Sequence, residues 1–358
     1  MLIVVAAMGA SFPCTLAASE QAPPWSAPAT TTVVQEEKVF HNAGAELSGT
    51  LYLPRGGKAL GAVVVTHAAS LPLRDQPLYR HLHEMLPSLG VAVFGYDRRG
   101  SGKSGGDLKA SDYTLLADDA IAAVRAVNTD PRIDPRRVGI WGLSQGGWLA
   151  LLAASRSPQV AFAVSISAPM VTPDIQMIFL SANILRVNGY SQADIDQAIA
   201  TRKAVDDYMR GSVDRATAQR MLDAAKVQPW FKLIYMGETV GDRATSRWRK
   251  EIEHDPARTL DKVKVPVLML YGSADPVVPV ATSVDHLQAL ADRHPNVEVE
   301  VIAGADHHME VSADPKTQLD PARFDERPEA PEYFAVLASW LTKHGIARGR
   351  VGADRNQS

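Results

Sequence analysis

The sequence predicts an α/β fold in which a mostly parallel sheet carries helices on both faces. Two observations predict the sheet: short, fully apolar runs of strand length recur along the chain, and segments of helical spacing separate them. Strands that alternate with helices in this way are joined by crossover connections, which make neighbouring strands parallel. A third observation is one long stretch without strand signals, which indicates a helical insertion into this fold.

The first 35 residues lie outside the predicted fold. Residues 1–18 are apolar and small up to an Ala-Ala pair, which predicts a secretory signal peptide, although no Lys or Arg precedes Lys38. Residues 19–35 are rich in Ala, Pro, Ser and Thr, a composition typical of a disordered linker. We therefore expect an exported protein, either periplasmic or secreted.

Residues 36–172 are predicted to form the first part of the core. Apolar and polar residues alternate at 36–40 and 47–53 on either side of a glycine-containing turn, which predicts a hairpin of two half-buried strands. The strand predicted at residues 62–66 is expected to be covered on both faces, because its sequence is apolar throughout. In chain order, strands are predicted at residues 62–66, 91–96, 138–141 and 161–165, and helices at 78–89 and 115–127.

The insertion is predicted at residues 173–255 and interpreted as a helical cap over one end of the sheet. Its helices are predicted at residues 175–186, 192–208 and 215–227, and a charged run at 243–253 predicts a further, solvated helix. The second part of the core follows at residues 256–346. It contains strands at 265–271 and 297–302 and helices at 281–291 and 332–343, and residues 347–358 are expected to form a frayed tail.

A serine lies at the junction between a predicted strand and an alanine-rich helix. The junction reads Gly142-x-Ser144-x-Gly146, the spacing of a nucleophile elbow. On such a sharp turn the hydroxyl is exposed, and glycines on either side avoid a clash because they lack Cβ atoms. The N-terminus of the next helix supplies free N–H groups where negative charge would develop. Ser144 is therefore the candidate nucleophile.

An acid and a base follow Ser144 in the chain. Asp275 comes directly after one buried strand, and His307 and His308 come directly after the next. Because the carboxyl ends of parallel strands meet at one edge of a sheet, these side chains are expected near Ser144. The order Ser, Asp, His is the one found in α/β-hydrolases, and either histidine could act as the base.

Together with this order, a turn after the fourth predicted strand carries a family resemblance. It reads Asp97-Arg98-Arg99-Gly100-Ser101-Gly102-Lys103-Ser104 and is similar to the Asp-x-Arg-Gly-x-Gly-x-Ser turn of α/β-hydrolase-fold serine hydrolases. Over roughly residues 36–344, apart from the cap, the chain resembles that family. The resemblance implies an α/β-hydrolase fold, and the family pattern Gly-x-x-His favours His307 over His308 as the base.

The resemblance also implies an oxyanion hole. Bacterial esterases of this family have a His-Gly loop after their first buried strand, where this chain reads His67-Ala68-Ala69. Carried over by position, the donors are the N–H of Gln145 and the N–H of Ala68 or Ala69. Alanine does not readily adopt a positive φ, so the loop must hold its shape with negative φ or the second donor is displaced.

These observations predict a serine hydrolase that cleaves small carboxylic esters through an acyl-enzyme, without a cofactor or metal. A peptidase or amidase with the same triad is the enzymatic alternative, and it would need a cap carboxylate such as Glu238 or Asp242 to hold a substrate amine. A non-catalytic binding protein on a hydrolase fold is the alternative from another class. Met170, Met177 and Phe179, near the cap, either line an acyl pocket or pack in the core.

Other function classes are disfavoured by composition and spacing. The formal charge of −3 gives no support to nucleic-acid binding, and residues after 18 contain no apolar run long enough to span a membrane. Cys14 is the only cysteine, so a mature chain would lack both a disulfide and a cysteine nucleophile.

Two short motifs resemble ligand sites but depart from the required patterns. Gly102-Lys103-Ser104 would end a phosphate-binding loop, but Asp97 stands where that loop needs a glycine. His81-x-His83-Glu84 lacks the second histidine of a zinc protease, because that position is Pro87. We expect an exposed helix face there and no metal.

Overall fold

An eight-stranded sheet forms the centre of the computed structural model, which describes residues 31–311, 314–323, 326 and 328–348. The strands are β1 Val33–Asn42, β2 Ala45–Pro54, β3 Leu60–Thr66, β4 Val91–Tyr96, β5 Ile133–Leu143, β6 Ala163–Ile166, β7 Val267–Gly272 and β8 Val297–Ile302. The helices are α1 Pro77–Ser88, α2 Tyr113–Asn128, α3 Gln145–Arg156, α4 Pro173–Val187, α5 Gln192–Arg210, α6 Arg215–Ala225, α7 Arg247–Glu251, α8 Pro256–Leu260, α9 Val280–Leu290, α10 Pro315–Gln318 and α11 Pro331–Lys343.

The sheet is parallel except at one edge. Its strand order is β1-β2-β4-β3-β5-β6-β7-β8, and only the β1–β2 and β2–β4 pairs are antiparallel. The β1–β2 hairpin closes at Ala43 and Gly44, whose φ values of 45° and 75° are those of a tight two-residue hairpin turn. The predicted architecture, a mostly parallel sheet between helices, is confirmed.

Helices cover both faces of the sheet because the central strands are apolar on both sides. On β3, Ala62 and Val64 pack into the hydrophobic cluster that includes α2 and α3 residues. Val63 and Val65 pack into the cluster on the opposite face, with residues of α1 and α11. The continuous apolar sequence of this strand follows from that double burial.

Helices α4 to α7 lie between β6 and β7, in the segment predicted as a cap. Helix α5 begins with a capping box in which Ser191 and Asp194 each bind the other's backbone N–H, and it ends at Gly211, with φ of 88°. The cap has a hydrophobic cluster of its own, separate from the two sheet clusters. Its largest buried members are Leu185, Leu222, Trp230, Phe231 and Ile234.

Three sequence predictions about this architecture are wrong in part. Strand β1 begins at Val33, so the last three residues of the predicted linker belong to the sheet. The charged run at 243–253 forms only the five-residue helix α7, and its Glu251 is buried rather than solvated. His81 and His83 are also buried, because α1 packs this face against the sheet and α11.

The predicted signal peptide, most of the linker and most of the tail lie outside the described residues. None of the helices in the described part of the chain combines the length and apolar character that a membrane span requires. Within the same ranges, no three His, Cys, Asp or Glu side chains are grouped closely enough to bind a metal ion.

Candidate active site

Ser144 occupies the tight turn between β5 and α3 with an unusual backbone conformation. Its φ of 56° and ψ of −120° are sterically unfavourable for a residue with a Cβ atom. The turn is held by the Ser144 N–H, which donates to the Ile166 carbonyl at 2.7 Å. Such strain at a serine between strand and helix is typical of a nucleophile elbow.

The flanking glycines are required by close backbone contacts. A Cβ atom on Gly142 would lie 2.1 Å from the Gly146 carbonyl oxygen, and one on Gly146 would lie 2.4 Å from the Thr66 carbonyl oxygen. Both distances are far below van der Waals contact, and both obstacles are backbone atoms. The Gly-x-Ser-x-Gly spacing thus follows from the packing of β3, β5 and α3.

Asp275 and His307 are joined by a hydrogen bond. Asp275 lies after β7 and His307 after β8, so adjacent parallel strands bring them to the same edge of the sheet. His307 Nδ1 donates to Asp275 Oδ2 at 2.8 Å, while Asp275 Oδ1 accepts from the N–H groups of Val277 and Val278. The Asp275 side chain is fully buried. These bonds orient the imidazole and leave its Nε2 as the proton acceptor.

His308 has a different environment from His307. Its side chain is buried, and desolvation together with the neighbouring His307 lowers its pKa to about 3. Its backbone N–H donates to Asp306 Oδ1 at 2.8 Å, which fixes the turn that carries both histidines. The structure thus brings His307, and not His308, to the carboxylate of Asp275.

The loop after β3 offers one of its two candidate oxyanion donors. The Ala68 N–H already donates to Tyr79 Oη at 2.9 Å, whereas no protein acceptor for the Ala69 N–H occurs among the described residues. Both alanines have negative φ, so the loop does not need the glycine it lacks. Gln145 is the first residue of α3, where an N–H has no acceptor within the helix. The available pair is therefore Gln145 and Ala69.

Arg98 lies behind this loop and binds its carbonyl groups. Its guanidinium donates to the carbonyl oxygens of His67, Ala68 and Ala69 at 2.6, 3.0 and 3.1 Å. The side chain is only 2% exposed. Three consecutive carbonyl groups are thus turned toward one buried cation.

Core and cap together enclose a cavity of about 340 Å³ over the serine. On the core side it is lined by Ser144, His307 and Ala69. Of the three apolar residues considered for an acyl pocket, only Met177 lines this cavity, and Met170 packs in the sheet core instead. The other cap residues of the lining are Pro173, Gln176, Leu180, Tyr235, Arg247, Trp248 and Glu251.

An ion pair in the cavity lining was missed by sequence reasoning. Arg247 Nε lies 3.0 Å from Glu251 Oε1 on α7, and burial raises the pKa of Glu251 to about 7. Glu238 and Asp242, the cap carboxylates named as ones that a peptidase would need, are exposed and do not line the cavity. The four-residue spacing of Arg247 and Glu251 was the available signal, but it is equally typical of a surface helix.

The chain is similar to several known hydrolases. The family model described as "Serine aminopeptidase, S33" matches residues 58–312. A thiohydrolase of Arthrinium phaeospermum is 31% identical over 125 residues, and this match covers 34% of the chain and 39% of that protein. Human monoglyceride lipase is 27% identical over 241 residues, which is 65% of the chain and 71% of the lipase.

A solved esterase of Pyrococcus furiosus has the same fold. It superimposes with a TM-score of 0.55 and 18% identity, covering 87% of this chain and 91% of the esterase.

Proposed function

Because the chain belongs to the α/β-hydrolase family described as serine aminopeptidase S33, we propose that it is a serine hydrolase that cleaves carboxylic esters. Ser144, His307 and Asp275 are its proposed triad. The observation that carries the proposal is the 2.8 Å hydrogen bond between His307 Nδ1 and Asp275 Oδ2. The His307 side chain lines the same cavity as Ser144, whose backbone is strained.

The proposed reaction proceeds through an acyl-enzyme. His307 Nε2 takes the Ser144 proton as the Oγ attacks the ester carbonyl, and Asp275 stabilises the resulting imidazolium. The carbonyl oxygen becomes an oxyanion that accepts from the N–H groups of Gln145 and Ala69. When the tetrahedral intermediate collapses, His307 returns the proton to the departing alcohol. Water then attacks the acyl-enzyme by the same path and releases the acid.

Several observations support an ester rather than a peptide as substrate. The cavity lining is mainly apolar, and the similar proteins include a monoglyceride lipase and an esterase by name. The cavity carboxylate that could hold a substrate amine, Glu251, is already paired with Arg247. Burial raises its pKa to about 7, so at neutral pH a part of the protein carries the neutral form, which binds an ammonium group weakly.

The nucleophile is tested with a fluorophosphonate probe and p-nitrophenyl esters. The wild type should be labelled at Ser144 and turn over short-chain esters, and Ser144→Ala should lose both activities. Ser70→Ala is the matched control, because Ser70 is an exposed serine that lines the same cavity. Turnover that persists in Ser144→Ala at the wild-type rate would exclude the proposed nucleophile.

The family description makes an aminopeptidase the second candidate, and Glu251 is the observation in its favour. Aminoacyl p-nitroanilides and p-nitrophenyl esters of matched acyl size separate the two candidates. For each substrate, kcat/KM is divided by the rate constant of its alkaline hydrolysis, which corrects for intrinsic reactivity. An esterase should then have the higher ratio for the ester. An anilide preference that disappears in Glu251→Gln would instead support the peptidase.

A further inference from the structure

A second cavity lies inside the cap and adjoins the catalytic cavity. It also has a volume of about 340 Å³. Met177, Tyr235 and Trp248 contribute to the lining of both cavities, so these three side chains form the boundary between them. A substrate bound at Ser144 therefore has a second chamber beyond this boundary.

Most of the cap chamber is apolar, but it contains a buried carboxyl group. Met209, Leu222 and Val240 contribute apolar surface, and Asp206 on α5 lines the same chamber while only 2% exposed. Asp206 Oδ1 accepts from Trp248 Nε1 at 2.8 Å. Asp206 Oδ2 has no hydrogen-bond partner in the described part of the chain. A buried acceptor without a donor is unfavourable, so the chamber is better completed by a ligand that brings one.

The charges around Asp206 indicate which kind of donor fits. Arg202, one turn earlier on α5, also lines the chamber, is buried, and attracts the Asp206 carboxylate. Its guanidinium donates to Ser181 Oγ and to the Ile234 carbonyl, away from Asp206 Oδ2. The two charges already balance, so an ammonium group would add an unpaired buried positive charge, whereas a neutral hydroxyl group would not.

A hydroxyl group also fits both protonation states of Asp206. Burial raises the pKa of this carboxyl group, so the acid form becomes accessible at a higher pH than for an exposed aspartate. A hydroxyl group donates to the carboxylate and accepts from the carboxylic acid, whereas an ammonium group can only donate.

We propose that the cap chamber binds a hydroxyl group at the end of the substrate remote from the scissile ester, with Asp206 Oδ2 as its acceptor. This inference rests on the proposed esterase function and narrows its substrates to esters with an apolar chain that ends in a hydroxyl group. Met177 and Trp248 contact the chain where it passes from one cavity to the other.

Matched pairs of esters test the inference. One series compares p-nitrophenyl alkanoates with their ω-hydroxy analogues, and a second compares alkyl acetates with ω-hydroxyalkyl acetates, each with chains of about six to twelve carbons. In at least one series the hydroxyl group should raise kcat/KM about tenfold at the lengths that reach Asp206, which is the effect of one buried hydrogen bond. Plain esters measure the basal activity.

Variants of Asp206 assign the preference to its carboxyl group. Asp206→Leu should reduce the hydroxyl preference to within about twofold while plain esters are still hydrolysed, and Asp206→Asn, which keeps an acceptor oxygen, should retain part of it. Asp207→Leu is the matched control, because Asp207 is the adjacent carboxylate and does not line the chamber. If Asp206→Leu does not fold, the comparison is made with Asp206→Asn.

Three results would overturn the inference. These are a wild type without hydroxyl preference at any chain length, a preference that survives in Asp206→Leu, and a stronger preference for ω-amino than for ω-hydroxy esters. A wild type that hydrolyses no ester at all would instead refute the esterase proposal on which the inference rests.

Discussion

The Ala68 carbonyl oxygen accepts a hydrogen bond from Arg98 Nη2 at 3.0 Å, and this bond orients the peptide that carries the Ala69 N–H. In a trans peptide the C=O and N–H bonds point in opposite directions. Since the C=O points toward Arg98, the N–H points away from Arg98, and Ala69 lines the cavity that contains Ser144. Arg98 is thus a positioning residue for the proposed oxyanion hole.

Replacing Arg98 should therefore slow the reaction without weakening substrate binding. We expect Arg98→Met to lower kcat about 100-fold with little change in KM. The reason is that the hydrogen bond from the Ala69 N–H stabilises the transition state more than it stabilises the bound substrate. Arg98→Lys should recover part of the rate, since it restores a donor. Steady-state kinetics on p-nitrophenyl esters measure this, with Arg80→Met, an exposed arginine of α1, as the control. A rise in KM at constant kcat would contradict the positioning role.

Asp275 should control the tautomer of His307. In Asp275→Asn the amide group donates toward Nδ1 and so stabilises the wrong tautomer, and we expect kcat to fall about 10⁴-fold while the protein stays folded. The exposed Asp285→Asn should be unaffected. Stopped assays with long incubation can measure the residual rate, and a loss smaller than tenfold would exclude Asp275 as the orienting acid.

Gly146→Ala should destabilise the fold as well as the site. Its Cβ atom would lie 2.4 Å from the carbonyl oxygen of Thr66, the last residue of the central strand β3, where neither backbone can move freely. We expect a loss of about 2 kcal/mol or more in the free energy of unfolding, measured by urea denaturation. Gly237→Ala is the control, because its Cβ would have no neighbour closer than 3.8 Å. Equal stabilities of the two variants would disprove the close contact at the elbow.

Buried His308 should make the protein sensitive to acid. Its pKa is about 3 when folded and close to 6.5 when unfolded, so between these values the unfolded chain binds a proton that the folded chain does not. Stability is therefore lost as the pH falls below 6.5, by about 2 kcal/mol between pH 7 and pH 5.

His308→Gln should show a smaller loss over the same interval. The measurement compares urea unfolding of wild type and variant at pH 7 and pH 5, with the exposed His41→Gln as a control. If the wild type and His308→Gln lost the same stability, His308 would not be the group responsible.

Much of the fold could be predicted because local sequence and long-range packing agree. Strand β3 is apolar on both faces and is buried on both faces, and the glycines around Ser144 mark a turn that allows no Cβ atoms. The meeting of Asp275 and His307 could be predicted from topology alone, since the strands that precede them are adjacent and parallel.

Other features depend on contacts that the local pattern does not contain. The available N–H donor is that of Ala69 rather than Ala68, because the Ala68 N–H donates to the hydroxyl group of Tyr79 on the next helix. His81 and His83 are buried by residues distant in sequence. His81 forms a hydrogen bond with Tyr333 Oη, and the His83 ring stacks on Tyr52. Arg247 and Glu251 have the spacing of a surface helix, and only the path of the cap turns that helix toward the serine.

The separate hydrophobic cluster of the cap has a consequence for how this chain can diverge in evolution. Residues such as Leu222 and Val240 support the cap chamber without contacting the clusters that hold the sheet together. Substitutions at these two positions therefore change the packing within the cap, while the residues proposed for chemistry stay on an unaltered scaffold. The protein can therefore gain new substrates through changes in the cap, while the sheet keeps the residues of the same reaction.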